Sequence, residues 1–207
     1  MRVFGIDPGS VRTGYGCLDT DGTRHRLVVC GALAAPAGAS LPDRLHVIHE
    51  GLTRLLREAR PDCVVIENLF HARNVRSALV LGHARGVAVL AAVEAGLPLV
   101  EYTPSEIKQA TVGYGRAEKV QVQQMVKLLL GLQSAPSPHD AADALAVAIC
   151  HANSGTEAIA RRATARLPRR LTNWREYQPP ASGVGPRGPR ERAARGARGG
   201  AAPRTKI

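Results

Sequence analysis

Apolar residues follow two rhythms along this chain, and the changes between them predict its elements. The run Val3-Phe4-Gly5-Ile6 is short, β-rich and stopped by Pro8-Gly9, which predicts a buried strand over residues 2–7. Residues 13–19 read as its hairpin partner, and a third strand over 26–34 runs through Leu27, Val28, Val29 and Cys30. Short Gly- and Asp-containing turns between the three predict an antiparallel meander. After Pro36 the period lengthens. Leu41, Leu45, Ile48, Leu52, Leu55 and Leu56 fall at helical spacing with charged residues between them. Residues 63–67 then read as a strand, 75–95 as an unusually apolar helix, and 97–102 as a strand stopped by Thr103-Pro104. Helices are expected over 117–130 and 139–152, the last opened by Pro138. The order βββ-α-β-α-β-α-α makes the last two strands parallel, giving an α/β fold with a mixed sheet flanked by helices.

Composition narrows the class. The 207 residues suit one buried domain, residues 1–155, plus a tail. Aromatics make up only 3% against 44% hydrophobic, so packing rests on Val, Leu, Ile and Ala. No apolar stretch is expected to reach the roughly 18–20 residues that span a bilayer, and Asp7-Pro8 interrupts any signal-peptide pattern. Cys17, Cys30, Cys63 and Cys150 lack CxxC spacing. They read as reduced, mostly buried thiols of a cytoplasmic protein rather than a zinc site. The net charge of +11 belongs to one end. Residues 161–207 carry thirteen Lys/Arg against two Asp/Glu, whereas the preceding 160 are balanced. This Arg/Gly/Pro/Ala-rich tail is expected to be disordered, since so few large apolar residues cannot offset the entropy of ordering. Two roles stay open for it: a solvated extension, or sequence-independent attraction to DNA through counterion release.

Four acidic residues stand where a core should not want charge. Asp7 and Glu67 each end an apolar strand, and Asp140 and Asp143 open the apolar run from Ala144 to Ile149. Asp7 before Pro-Gly also suits a turn, and an Asp at a helix start also suits a cap. Glu67 has no such local role. If the strands ending in Asp7 and Glu67 are neighbours, both carboxylates meet near the sheet centre, and Asp140 and Asp143, i and i+3, face them from one side of a helix. Gathered carboxylates repel unless a cation neutralises them. Mg2+ takes oxygen ligands, and two such ions can clamp the attacking and leaving oxygens of a phosphoryl displacement. The pattern therefore points to a metal-dependent nuclease.

The residues Gly5-Ile6-Asp7-Pro8-Gly9-Ser10 with Thr13-Gly14-Tyr15-Gly16 resemble the opening of the RuvC family of Holliday-junction resolvases. So do Ile66-Glu67-Asn68-Leu69-Phe70, Ser77-Ala78-Leu79 with Leu81-Gly82-His83-Ala84-Arg85-Gly86, and Asp140-Ala141-Ala142-Asp143-Ala144-Leu145. The resemblance covers about residues 1–155 in order and spacing. It implies a ribonuclease-H-like fold with a five-stranded mixed sheet, and a homodimer that makes paired, symmetric nicks in four-way DNA junctions. By motif, Asp7, Glu67, Asp140 and Asp143 would be catalytic metal ligands for two Mg2+ per active site, with Mn2+ able to substitute. Attack by a metal-activated water would leave 5′-phosphate and 3′-hydroxyl ends, in DNA recombination and repair. Some members place His where Asp140 stands; here His139 precedes it and is expected to face solvent. Partnership with the branch-migration proteins RuvA and RuvB is implied by the resemblance alone.

Groups expected to hold DNA surround this set. Phe70 lies in a polar stretch beside Arg73 and Arg76, where it suits stacking on an unpaired base near the branch point. Lys108 and Lys119 match lysines that the family uses near the cleaved phosphate. Arg12, Arg85 and Arg116 are weaker candidates for backbone contact. The helix over 75–95 carries Leu79, Val80, Leu81, Val87, Val89 and Leu90 on more than one face, which predicts burial all round, partly in the dimer interface. Two other classes compete. A sugar-kinase-like ATPase shares the Gly-Ile-Asp-x-Gly start, but a second Asp-x-Gly phosphate loop is missing from this sequence. A non-catalytic junction binder would gain nothing from carboxylates set against phosphate.

Overall fold

Strand β1 (Arg2–Asp7) is the centre of a five-stranded sheet ordered β3-β2-β1-β4-β5. In this computed structural model residues 1–9, 11–68 and 75–154 are described, all within one unit, Met1–Arg166. β2 (Arg12–Thr20) runs antiparallel to β1, and β3 (His25–Ala34) antiparallel to β2. β4 (Cys63–Glu67) and β5 (Leu99–Tyr102) continue the sheet in parallel. The meander and the mixed sheet expected from the sequence are both present.

Strict alternation along the central strands divides the core in two. Val3 and Val65 point to one face, where they meet Val100, Tyr102, Leu145 and Ile149. Phe4, Ile6, Val64 and Ile66 point to the other, against Ile48, Leu52 and Leu56. A period of two on strands buried on both faces produces this two-sided core.

The second face is covered by α1 (Leu41–Ala59) and α2 (Val75–Glu94). α1 starts where the Ser40 hydroxyl accepts from the Asp43 amide with proline in the first turn, and stops at Arg60, whose φ of 47° is left-handed. α2 departs from expectation. It buries only Ala84, Ala88, Ala91 and Ala92, whose small side chains allow close packing, while Val75, Leu79, Leu90 and Val93 are exposed. It is also long and apolar enough to cross a membrane by length and composition, contrary to the expectation that no stretch qualifies. Its alanine stripe packs into the core of this fold.

The first face carries α3 (Pro104–Val112), α4 (Lys119–Leu129) and α5 (His139–Ala152). α3 was not anticipated, because Thr103-Pro104 reads as a stop. Thr103 is in fact an N-cap: its hydroxyl accepts from the Glu106 amide, Glu106 reaches back to the Thr103 amide, and proline fills the first turn. Of the four thiols, Cys17, Cys63 and Cys150 are buried and Cys30 half-buried, as the sequence suggested. Burial pushes Cys17 up to about 12 and Cys63 to about 11, leaving both as inert thiols.

Candidate functional site

Register brings the first two carboxylates together. Ile6 pairs with Ile66 in the parallel β1–β4 ladder, so the next residues, Asp7 and Glu67, leave the sheet side by side. Their carboxyl groups lie close enough for each to act on the other's protonation. The turn behind Asp7 is tied down by Thr13, whose fully buried hydroxyl donates to the Gly9 carbonyl at 3.3 Å.

Glycines bring the third. α5 lies directly on β1 and β2, and a Cβ at Gly5 would stand 2.1 Å from the Ala144 carbonyl oxygen. One at Gly14 would stand 2.0 Å from that of Asp140. Gly16 receives the Leu145 side chain in the same way. Only a strip without side chains lets a helix rest this close to a sheet. Gly14 is paired with Asp7, so the first turn of α5 settles over the end of β1.

The result is an open cavity of about 300 Å3 lined by Asp7, Glu67, Asp143, Lys108 and Lys119. Lys108 comes from α3 and Lys119 opens α4. The Lys119 Nζ stands 2.5 Å from Asp143 Oδ2, and this lysine's side chain is 60% exposed while that of Asp143 is 19%. Asp140, in the first turn of α5, is half-buried and does not line the cavity, although it contributes to the field at Lys119. His139 is exposed, as expected.

Electrostatics mark the cavity as incomplete without a counter-charge. Burial, then the negative charges of Glu67 and Asp143, push Asp7 up to about 8. Glu67 is raised as well, again mainly by burial. Burial works against the Lys119 charge, yet its bond to Asp143 leaves the ammonium raised overall. Among the described residues no set of three or more His, Cys, Asp or Glu side chains converges in a ligating arrangement. Asp7 and Glu67 turn to one another and Asp143 to Lys119. The donor set nonetheless fits a hard divalent cation: all oxygen, crowded, and penalised for carrying its own charge.

The remaining expected DNA contacts divide. Phe70 and Arg73 lie outside the described residues. Arg76 is exposed on the first turn of α2, and Arg12 and Arg116 are also exposed. Arg85 is not free for DNA, because its guanidinium pairs with Glu101 of β5 at 2.5 Å, half-buried on both sides.

Comparison with known proteins agrees with this architecture. Residues 3–151 match the sequence profile of the family described as crossover junction endodeoxyribonuclease RuvC. The chain belongs to the RuvC family. Crossover junction endodeoxyribonuclease RuvC of Trichlorobacter lovleyi is 50% identical over 179 residues, 86% of this chain and all of that protein. The protein of the same name from Alkaliphilus oremlandii is 51% identical over 155 residues, 75% of this chain and 94% of the relative. Among solved structures, Thermus thermophilus RuvC in complex with its Holliday junction substrate superposes with a TM-score of 0.70 at 38% identity. That match covers 73% of this chain and 93% of the other.

Proposed function

We infer that this chain is a crossover junction endodeoxyribonuclease that resolves four-way DNA junctions by hydrolysing phosphodiesters at the Asp7–Glu67–Asp143 cavity. The observation that carries the reading is the convergence of three carboxylates and two lysines from five separate elements of a RuvC-family fold. Asp7, Glu67 and Asp143, with Asp140 a turn away on the same helix, would hold divalent cations, Mg2+ by preference with Mn2+ as substitute, two per site. Such ions would supply Lewis acidity for in-line attack by water, leaving 5′-phosphate and 3′-hydroxyl ends. The chain itself positions and screens. The carboxylates, carried on strand ends and a docked helix, would hold the cations, and Lys108 and Lys119 would neutralise an approaching phosphate. Phe70, Arg73 and Arg76 would hold the junction arms and an unpaired base.

Paired nicks need two sites, and α2 supports a homodimer. Exposed positions Val75, Leu79, Gly82, Gly86, Leu90 and Val93 follow one another at intervals of three and four along one helix face. Among the described residues, nothing beyond the helix's own nearby backbone comes within 4 Å of a Cβ built at Gly82 or Gly86. Two glycines inside an exposed helix cost about 1 kcal/mol each against alanine, so a close second helix gives them a purpose. The two-fold dimer would present two cavities to a pseudo-symmetric junction. Function in recombination and repair in the cytoplasm, beside RuvA and RuvB, follows from the family reading.

The test is cleavage of a synthetic four-way junction with Mg2+ or Mn2+, beside linear duplex and an Asp7→Asn variant. Paired nicks in the junction alone, lost in the variant with binding retained, are expected. Binding without cleavage under either metal would reduce the protein to a junction binder.

A further inference from the structure

The carboxylates of the cavity differ in their surroundings. Asp7 and Glu67 stand beside each other at the ends of paired strands, whereas Asp143 Oδ2 is taken up by the Lys119 ammonium. We propose that Lys119 is a built-in counter-ion that occupies Asp143 in the free protein and must leave it before a divalent cation can use that carboxylate. On this basis DNA phosphate, by drawing the ammonium away, completes the loading of the site. The proposal rests on the metal-binding reading above.

Three features of the pair support an exchange of this kind. An ammonium and a hard cation compete for the same carboxylate, because two positive charges crowded onto it repel one another. The partners differ in freedom: Asp143 is largely covered on the docked helix α5, while Lys119 is mostly exposed on a four-carbon stem. The lysine can therefore swing and the aspartate cannot. A phosphate arriving in a cavity that Lys119 lines offers it an equivalent anion. By linkage, whatever factor DNA adds to cation affinity, the cation returns to DNA affinity.

Lys108 separates contact from simple charge. It lines the same cavity and acts on Glu67 through space, but the ion pair with Asp143 belongs to Lys119. Removing Lys108 removes one positive charge without vacating the oxygen. Removing Lys119 does both.

The experiment is calorimetric titration of the full chain with Mn2+, without DNA, for wild type, Lys119→Met, Lys119→Arg and Lys108→Met. Lys119→Met is expected to bind about fivefold more tightly, the modest scale of a partly exposed ion pair. Lys119→Arg should stay near wild type, and Lys108→Met should change far less than Lys119→Met. Unchanged or weaker binding in Lys119→Met overturns the proposal, and so does an equal gain in both methionine variants. Absence of Mn2+ binding in every protein, wild type included, instead overturns the metal reading. Thermal unfolding in chelator checks that each variant is folded. Should Lys119→Met fail there, Lys119→Gln repeats the test with similar reach and no charge.

Discussion

The carbonyl oxygen of Asp140 lies where a side chain on Gly14 would begin, 2.0 Å from an ideal Cβ. Backbone meets backbone at that point, so no rotamer change can relieve a substitution there. Gly14→Ala must lift the first turn of α5 from the sheet, and Asp143 with it. If Asp143 serves the chemistry as proposed, its displacement by about 1 Å costs on the order of 100-fold in rate. Junction cleavage by Gly14→Ala should fall by that order while the far-ultraviolet spectrum stays native. A rate near wild type would mean that α5 does not set the position of Asp143.

Asp7 makes the metal-free protein sensitive to alkali. Its carboxyl is raised in the folded chain from the ordinary 3.8 to about 8, chiefly by burial and by Glu67 and Asp143. The folded state therefore keeps a proton that the unfolded chain gives up. This contribution to stability is whole below pH 3.8 and is lost as pH rises through about 8. In chelator at pH 8.5, Asp7→Asn should be more stable than wild type by about 1–3 kcal/mol, since the amide cannot ionise. Melting curves of both proteins from pH 4 to 8.5 measure it. The difference should close near pH 4, and added Mg2+ should raise the wild-type curve alone.

The ends of β1, β4 and α5 were legible because each is an abrupt change from apolar to acidic, and such changes are local. Their meeting was legible only conditionally, since adjacency of β1 and β4 is a long-range pairing. Gly5, Gly14 and Gly16 were visible as part of a motif, but their physical task, receiving α5, depends on which helix covers them. α3 is hidden in the sequence because Pro104 reads first as a breaker, although Thr103-Pro104-Ser105-Glu106 carries every mark of a helix start. It is also the element that delivers Lys108. The apolar composition of α2 predicts burial all round, because hydrophobicity alone does not say which face of a helix is covered within its own chain.

A buried polar tie joins α5 to β4 and β5. His151 of α5, 1% exposed, has Nδ1 3.1 Å from the Tyr102 hydroxyl and Nε2 3.4 Å from the Cys63 sulfur. Burial lowers its pKa below the ordinary 6.5. The unfolded chain thus takes up a proton that the folded one refuses, and stability falls as pH drops below 6.5. This runs opposite to Asp7, so single variants must separate the two. His151→Phe should lose about 1–3 kcal/mol at pH 7.5 from the broken hydrogen bonds. It should also lose part of the wild-type acid sensitivity between pH 6.5 and 5. Acid sensitivity identical to wild type would remove His151 as its source.

The exposed face of α2 gives the dimer a test whose sign differs between readings. If Gly86 faces only water, Gly86→Leu gains helix propensity, about 0.5–1 kcal/mol, and nothing clashes. If it faces a second α2, the added side chain enters the space the partner helix needs. The expected result is a chain that sediments as a 22.0 kDa monomer, unfolds no earlier than wild-type monomer, and nicks junctions singly rather than in pairs. Leu79→Glu, at a position 61% exposed in the single chain, should act in the same direction by placing charge in the interface. Dimers of undiminished affinity in both variants would move the interface off this helix and leave its two glycines without a role.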